Sequence, residues 1–182
     1  MIERAAALAL MEEKIENLNL RKHIRSVEAG LRQLARRFGE DEEFWGLTGL
    51  LHDLDYNDTK DNESRHTFLT EEWLKPYGPS AEMIHAIRCH PGHEPCENRL
   101  DWALYAVDPT TGFLVACALM SPTKALAALD ERFVMKRFKE KRFAAGASRE
   151  NMVACSHLGL ELPEFIMDVR DGMLTISDYL GL

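Results

Sequence analysis

The 182-residue chain is short of positive charge, of cysteine and of long apolar runs. Lys and Arg number 22 against 30 Asp and Glu, a formal net charge of −8 at pH 7. A nonspecific nucleic-acid coat is therefore disfavoured, because a polyanion would meet net repulsion. Four cysteines are too few for a disulfide scaffold in a chain of this size, and a reducing cytoplasm is the simplest address. No run of 18 apolar residues occurs, so neither a membrane helix nor a membrane partner is expected. The apolar stretch 5–11 runs straight into Glu12 and Glu13, and it lacks the basic start and cleavage site of a secretory leader. Strand-like alternation, internal repeats and low-complexity linkers are absent too.

What remains is helical periodicity. Leu20, Ile24, Val27, Leu31, Leu34, Ala35 and Phe38 fall at helical spacings, with Arg21, Arg25, Arg32 and Arg36 interleaved and Gly39 as a stop. Further helices are expected at 42–54, from 65 to just before Pro76, and at 80–90. The apolar stretch 100–120 carries Pro109, where the missing amide donor predicts a kink or break. Three more are expected at about 126–142, 148–158 and 163–179. The reading is all-α, with a core over 1–120 and a C-terminal helical extension, 121–182, packed on the same core.

The chemistry-bearing residues sit at apolar-flanked positions. His52 and Asp53 follow Leu50 and Leu51 at the end of a helix. His23 leans toward the apolar stripe rather than the arginine face. His66 opens the third expected helix and His90 closes the fourth. Asp108 lies inside an apolar run, where an unpaired carboxylate needs a cation, a strong donor or a proton. Each alone has an ordinary explanation as a helix cap or core residue. Together they fit a metal site assembled from several helices of a bundle.

The pattern of His23, His52 with Asp53, His66, His90 and Asp108 resembles the HD-domain superfamily of metal-dependent phosphohydrolases. The segments 50–54, 82–90 and 105–108 look like its signature stretches, and the likeness covers about 18–118. It is similar in particular to HDIG-type hydrolases, with one departure. The glycine of that four-residue block is Asp55 here and the following lysine is Tyr56, with Lys60 as a displaced substitute. The resemblance implies an HD-domain helical bundle in which His23, His52, Asp53 and Asp108 bind one metal. Asp53 would bridge to a second ion held by His66 and His90. The ions would be divalent transition metals, Mn, Fe or Zn, with Mg disfavoured by so many imidazoles. The implied activity is hydrolysis of a phosphomonoester or phosphodiester, with a nucleotide as the expected small phosphorylated substrate. His52 and Asp53 are expected to carry catalysis through a metal-activated hydroxide. Arg88, Lys60 and Arg65 are candidate phosphate contacts. Two alternatives are a catalytically silent metal- or nucleotide-binding sensor and an HD-fold di-iron oxygenase.

Other patterns rank lower. Asp53, Asp55 and Asn57 begin like a calcium loop, but Asp58 and Ser64 stand where Gly and Glu are needed. Cys89, His93 and Cys96 have only a loose zinc-ligand spacing, and such a site would take His90 from the bundle. His85 is five residues from His90, off its helix face, and reads as a structural or supporting residue. The basic run through 132–142, interleaved with Phe133, Phe138 and Phe143, reads as a solvated helix with buried Phe anchors, ahead of an anionic-ligand or RNA contact beside the site.

Overall fold

Asn17 starts the helix around which the others pack. Its side chain accepts the Asn19 and Leu20 N–H groups at 2.9 and 3.2 Å, and Gly39, at φ 69°, ends the helix in the left-handed region. The computed structural model describes residues 2–182, and no β-strand occurs among the described residues. In chain order the helices are α1 (Arg4–Lys14), α2 (Leu18–Phe38), α3 (Glu42–Leu51), α4 (Tyr56–Thr59), α5 (Phe68–Leu74) and α6 (Ala81–Cys89). There follow α7 (Arg99–Met120), α8 (Glu131–Phe138), α9 (Arg149–Val153), α10 (Leu162–Leu174) and α11 (Ser177–Leu180).

Helix α2 buries Ile24, Val27, Leu31 and Leu34 completely. It lies against α3 on one side and α7 and α10 on the others. Two glycines permit the close crossings. A Cβ on Gly49 would stand 3.0 Å from the Glu28 backbone nitrogen, and one on Gly172 would stand 2.4 Å from the Ala29 carbonyl oxygen. The first crossing brings the middle of α2 beside the end of α3, where His23 and His52 reside. Leu126, Val134, Met152, Phe165 and Leu180 of the C-terminal region share one apolar cluster with Val27, Leu104 and Phe113.

Several element boundaries differ from the sequence expectation. The helix expected from residue 65 begins only at Phe68, so His66 precedes it in extended backbone rather than opening it. Thr67 causes the break: it adopts φ 72°, which a β-branched residue rarely does. Helix α7 runs through Pro109 unbroken. Burial of Val107, Phe113 and Leu114 on either side outweighs one missing backbone bond. By length and average hydropathy α7 could cross a membrane, which a search for unbroken apolar runs does not register. Here its apolar faces form the centre of the bundle, and it carries Asp101 and Asp108.

The expected 126–142 helix is a short turn at Leu126–Ala128 followed by α8. Helix α1, which the sequence reading missed, is held by Arg4. Its guanidinium donates to both carboxylate oxygens of buried Glu28 at 2.7 and 3.2 Å.

Candidate metal centre

Four imidazoles and two carboxylates from separate segments meet at one end of the bundle. His23 comes from α2, His52 and Asp53 from the end of α3, His66 from the bend before α5, His90 from the end of α6 and Asp108 from α7. The Asp53 carboxylate is central. Its Oδ1 lies 3.3 Å from both His66 Nε2 and His90 Nε2. Its Oδ2 lies 3.4 Å from His52 Nε2 and 3.7 Å from His23 Nε2. Asp108 Oδ1 completes the group, 3.0 Å from His23 Nε2 and 3.9 Å from His52 Nε2.

The other ring nitrogens explain this convergence. His52 Nδ1–H donates to the Gly49 carbonyl at 2.7 Å, and His90 Nδ1–H donates to Ile87 O at 2.6 Å. His66 Nδ1–H donates to Asp55 Oδ1 at 2.8 Å. The Thr111 hydroxyl donates to Asp108 O, so it can accept from His23 Nδ1–H at 3.2 Å. Every Nδ1 therefore faces an acceptor, which fixes the tautomer and turns every Nε2 lone pair inward. His52 Nε2 is buried with no hydrogen-bond partner. These inward lone pairs, gathered around two carboxylates, fit a divalent cation. His23, His52 and Asp108 are one group whose ligand atoms lie within 4.8 Å of each other, and His52, Asp53 and His90 are another.

The electrostatics agree. Burial would raise the Asp53 carboxyl, but facing His52, His66 and His90 hold it well below the usual carboxylate range. Burial would lower His66, yet Asp53 and Asp55 carry it up to about 9. Burial pushes His90 down, in the direction of a neutral ligand.

Asp55, at the position where the signature departs from its family, proves structural. It is fully buried and accepts the Thr70 N–H at 3.2 Å as well as the His66 ring. Its only signal in the sequence was an acidic residue between Leu54 and Tyr56. Thr111 and Thr70 gave no such signal.

The centre forms part of the wall of a cavity of about 1100 Å³. Ala144, Gly146, Ala147, Ser148 and Asn151 line it from the C-terminal region. Arg149 pins that loop by donating to the carbonyls of Phe143, Ala144 and Ala147 at 2.6, 3.0 and 2.9 Å. Phe138 and Phe143 pack edge-on against buried Phe113, so the aromatics of the basic run anchor it to the core.

The three candidate phosphate contacts are not brought to this cavity. Arg88 is paired with Glu71 and, at 2.9 Å, with Glu94, and it lies over the Phe68 ring. Two carboxylates already satisfy its charge. Lys60 borders a separate depression beside Lys14 and Asn17, and Arg65 is an exposed residue of the turn before His66. Among the described residues no Lys or Arg lines the large cavity.

A helical bundle that gathers His, His-Asp, His, His and Asp around one cavity defines a class of protein with a buried histidine–aspartate centre suited to divalent metal. The HD domain family matches residues 20–119, more than half of the chain, and the chain belongs to that family. It thereby falls in the metal-dependent phosphohydrolase superfamily that its motifs resemble. Over 94 residues it is 31% identical to Ribonuclease Y of Oleidesulfovibrio alaskensis. The match covers 52% of this chain and 18% of that relative, so the chain spans less than a fifth of the curated protein it matches.

Proposed function

We propose that this protein hydrolyses a phosphomonoester or phosphodiester, with a nucleotide as the substrate class, and that two divalent transition-metal ions support the reaction. The observation that carries this reading is the inward aim of four Nε2 atoms onto Asp53 and Asp108 at the wall of a large cavity. His23, His52, Asp53 and Asp108 would hold one ion. His66 and His90 would hold the other, with Asp53 shared. When bound, such ions supply Lewis acidity that lowers the pKa of a water and offsets phosphoryl charge.

The protein's own groups orient and select. The Gly49, Ile87, Asp55 and Thr111 acceptors keep the imidazoles in register. Ser64, Ser148 and Asn151 offer neutral polar groups to a substrate, and Tyr56 and His93 add two rings to the cavity wall, compatible with a nucleobase. Because no Lys or Arg among the described residues lines the cavity, substrate phosphate depends on the metal centre for charge complementarity. The ribonuclease relative supports the phosphodiester arm. The net charge of −8 favours a small ester over a long RNA.

The test is metal analysis of the purified chain, followed by anaerobic assays with Mn²⁺ against nitrophenyl phosphate mono- and diesters and a nucleotide panel. Turnover that chelation removes and Asp53→Ala abolishes is expected. Equal rates for Asp53→Ala and wild type would refute the site. Binding without turnover of any ester would transfer the protein to the sensor reading, and oxygen-dependent chemistry alone would transfer it to the oxygenase reading.

A further inference from the structure

Beyond the histidine–aspartate centre, a second group of metal-ligand side chains is built where α6 meets α7. His85 and Cys89 stand one turn apart on α6, four residues being the spacing that puts two side chains on one face. Asp101 lies in the first turn of α7, and Cys96 comes from the segment between the two helices. The ligand atoms of His85, Cys89 and Asp101 lie within 4.8 Å of one another, and the Cys89 thiol donates to Pro95 O at 3.3 Å, which brings the segment next to Cys96 against them. His93, which sequence spacing had grouped with these cysteines, packs at a tilt against Phe68 instead, and His90 belongs to the other centre.

We infer that His85, Cys89 and Asp101 form a second cation site, structural in character and suited to Zn²⁺, with Cys96 of the adjoining segment as its fourth ligand. One observation independent of the clustering points to a ligand. Asp101 is fully buried; its Oδ2 accepts the Glu97 and Asn98 N–H groups at 2.9 and 3.2 Å, whereas its Oδ1 is buried with no hydrogen-bond partner. An unpaired carboxylate oxygen in the interior is costly, and a cation removes that cost. One separation suits zinc directly, while His85 Nδ1 also makes a 2.9 Å contact with Asp101 Oδ2 that a shared ion would lengthen. Cys89 Sγ stands 3.5 Å from His85 Nδ1. A tetrahedral ion with Zn–N of about 2.05 Å and Zn–S of about 2.3 Å needs an S···N edge of about 3.6 Å. Glu94 faces the other nitrogen of His85 at 3.5 Å, placing a carboxylate behind the ligating ring.

The donor chemistry separates the two sites. The histidine–aspartate centre offers only nitrogen and oxygen, while this one offers two sulfurs, a nitrogen and an oxygen, a set that favours Zn²⁺ over Mn²⁺ or Mg²⁺. Loading releases the two thiol protons to solvent and changes no oxidation state. Its consequence is local rigidity: the ion ties the 90–98 segment, which places Pro91 and His93 on the cavity wall, to α6 and α7.

Cobalt substitution tests this without reference to turnover. Co²⁺ is added to the full chain and to an Asp53→Ala variant that removes the carboxylate shared by both halves of the other centre. A near-ultraviolet thiolate-to-cobalt charge-transfer band is expected in both, lost on adding Zn²⁺, because only this site contains sulfur. Cys96→Ser, at a half-buried position, should weaken the band, and Cys89→Ser with Cys96→Ser should remove it. Absence of the band in folded wild type overturns the proposal, as does its survival in the double variant. If the double variant does not fold, mercurial titration of zinc-loaded wild type decides. Zinc release in step with modification of two thiols supports the site, and thiol modification with no zinc release overturns it.

Discussion

His66 Nε2 and His90 Nε2 face one another at 3.2 Å, two ring nitrogens from positions 24 residues apart. Each ring already directs its Nδ1 at an acceptor, Asp55 in one case and Ile87 O in the other. In their neutral forms both Nε2 atoms present lone pairs, and two lone pairs at that distance repel unless a proton or a metal ion lies near them. Asp53 Oδ1, 3.3 Å from both, adds negative charge to the same spot. The arrangement is therefore that of a cation-binding pocket rather than of a self-sufficient hydrogen-bond network.

Asp53 stands between both halves of the centre, so its loss should cost more metal than the loss of any single imidazole. Mn²⁺ equivalents per chain, counted after equilibrium dialysis, should fall to near zero in Asp53→Ala. His23→Ala should retain binding at the His66 and His90 half. Full Mn²⁺ retention by Asp53→Ala would show that the carboxylate is not a ligand.

Asp55 touches His66 but not the cavity, which makes it a positioning residue. Asp55→Ala should weaken Mn²⁺ binding by about 10–100-fold, the usual cost of losing a hydrogen-bonded support behind a ligating histidine. The rate at saturating Mn²⁺ should recover, separating this variant from Asp53→Ala. A rate that stays low at saturating metal in a folded protein would contradict that role.

The raised His66 value gives a pH dependence of definite sign. In the metal-free protein its folded pKa of about 9 exceeds the unfolded value of about 6.5. Protonated His66 thus stabilises the metal-free fold fully below pH of about 6.5, and that contribution is lost as pH rises through about 9. An incoming metal must displace the same proton. Mn²⁺ affinity at this half should rise roughly tenfold per pH unit up to about 9 and then level off. Calorimetry in buffers of different ionisation enthalpy should detect the released proton at pH 7.5, and a flat affinity across this window would refute the assignment.

The α2–α10 crossing sets a stability prediction. Gly172→Ala would press a methyl group against the Ala29 carbonyl and should destabilise by about 1–3 kcal/mol. Gly112, in the middle of α7, has open space within 4 Å of where a Cβ would stand, so Gly112→Ala should be neutral or stabilise by up to about 1 kcal/mol. Urea unfolding of both variants checks the contrast.

Arg88 is held between Glu71 and Glu94 and does not line the cavity. Arg88→Ala should leave KM for a phosphoester substrate within about twofold while lowering thermal stability, since it strands two carboxylates. A large rise in KM with stability unchanged would restore it as a phosphate contact.

The helices of the core were legible because their apolar positions repeat at helical spacing, and Gly39 marked the end of α2. Thr67 defeated the same reading, because a left-handed threonine is held by its surroundings and not by its own preference. Arg88 and Lys60 stand away from the cavity for a related reason: a cation near a motif on paper says nothing about which carboxylates fold against it. Cys89, Cys96 and His85 were noticed, but Asp101 was not, since it reaches Cys89 and His85 only after α7 docks on α6.

By itself the sequence determined the helical class, the apolar faces and the identity of the donor-bearing residues, because periodicity and side-chain chemistry are properties of the chain. Only the tertiary structure decided which nitrogen of each imidazole points inward, that Asp55 supports His66, and that residues 144–151 close one side of the cavity. Those outcomes depend on distances between segments far apart in the chain, and burial of the apolar faces sets those distances.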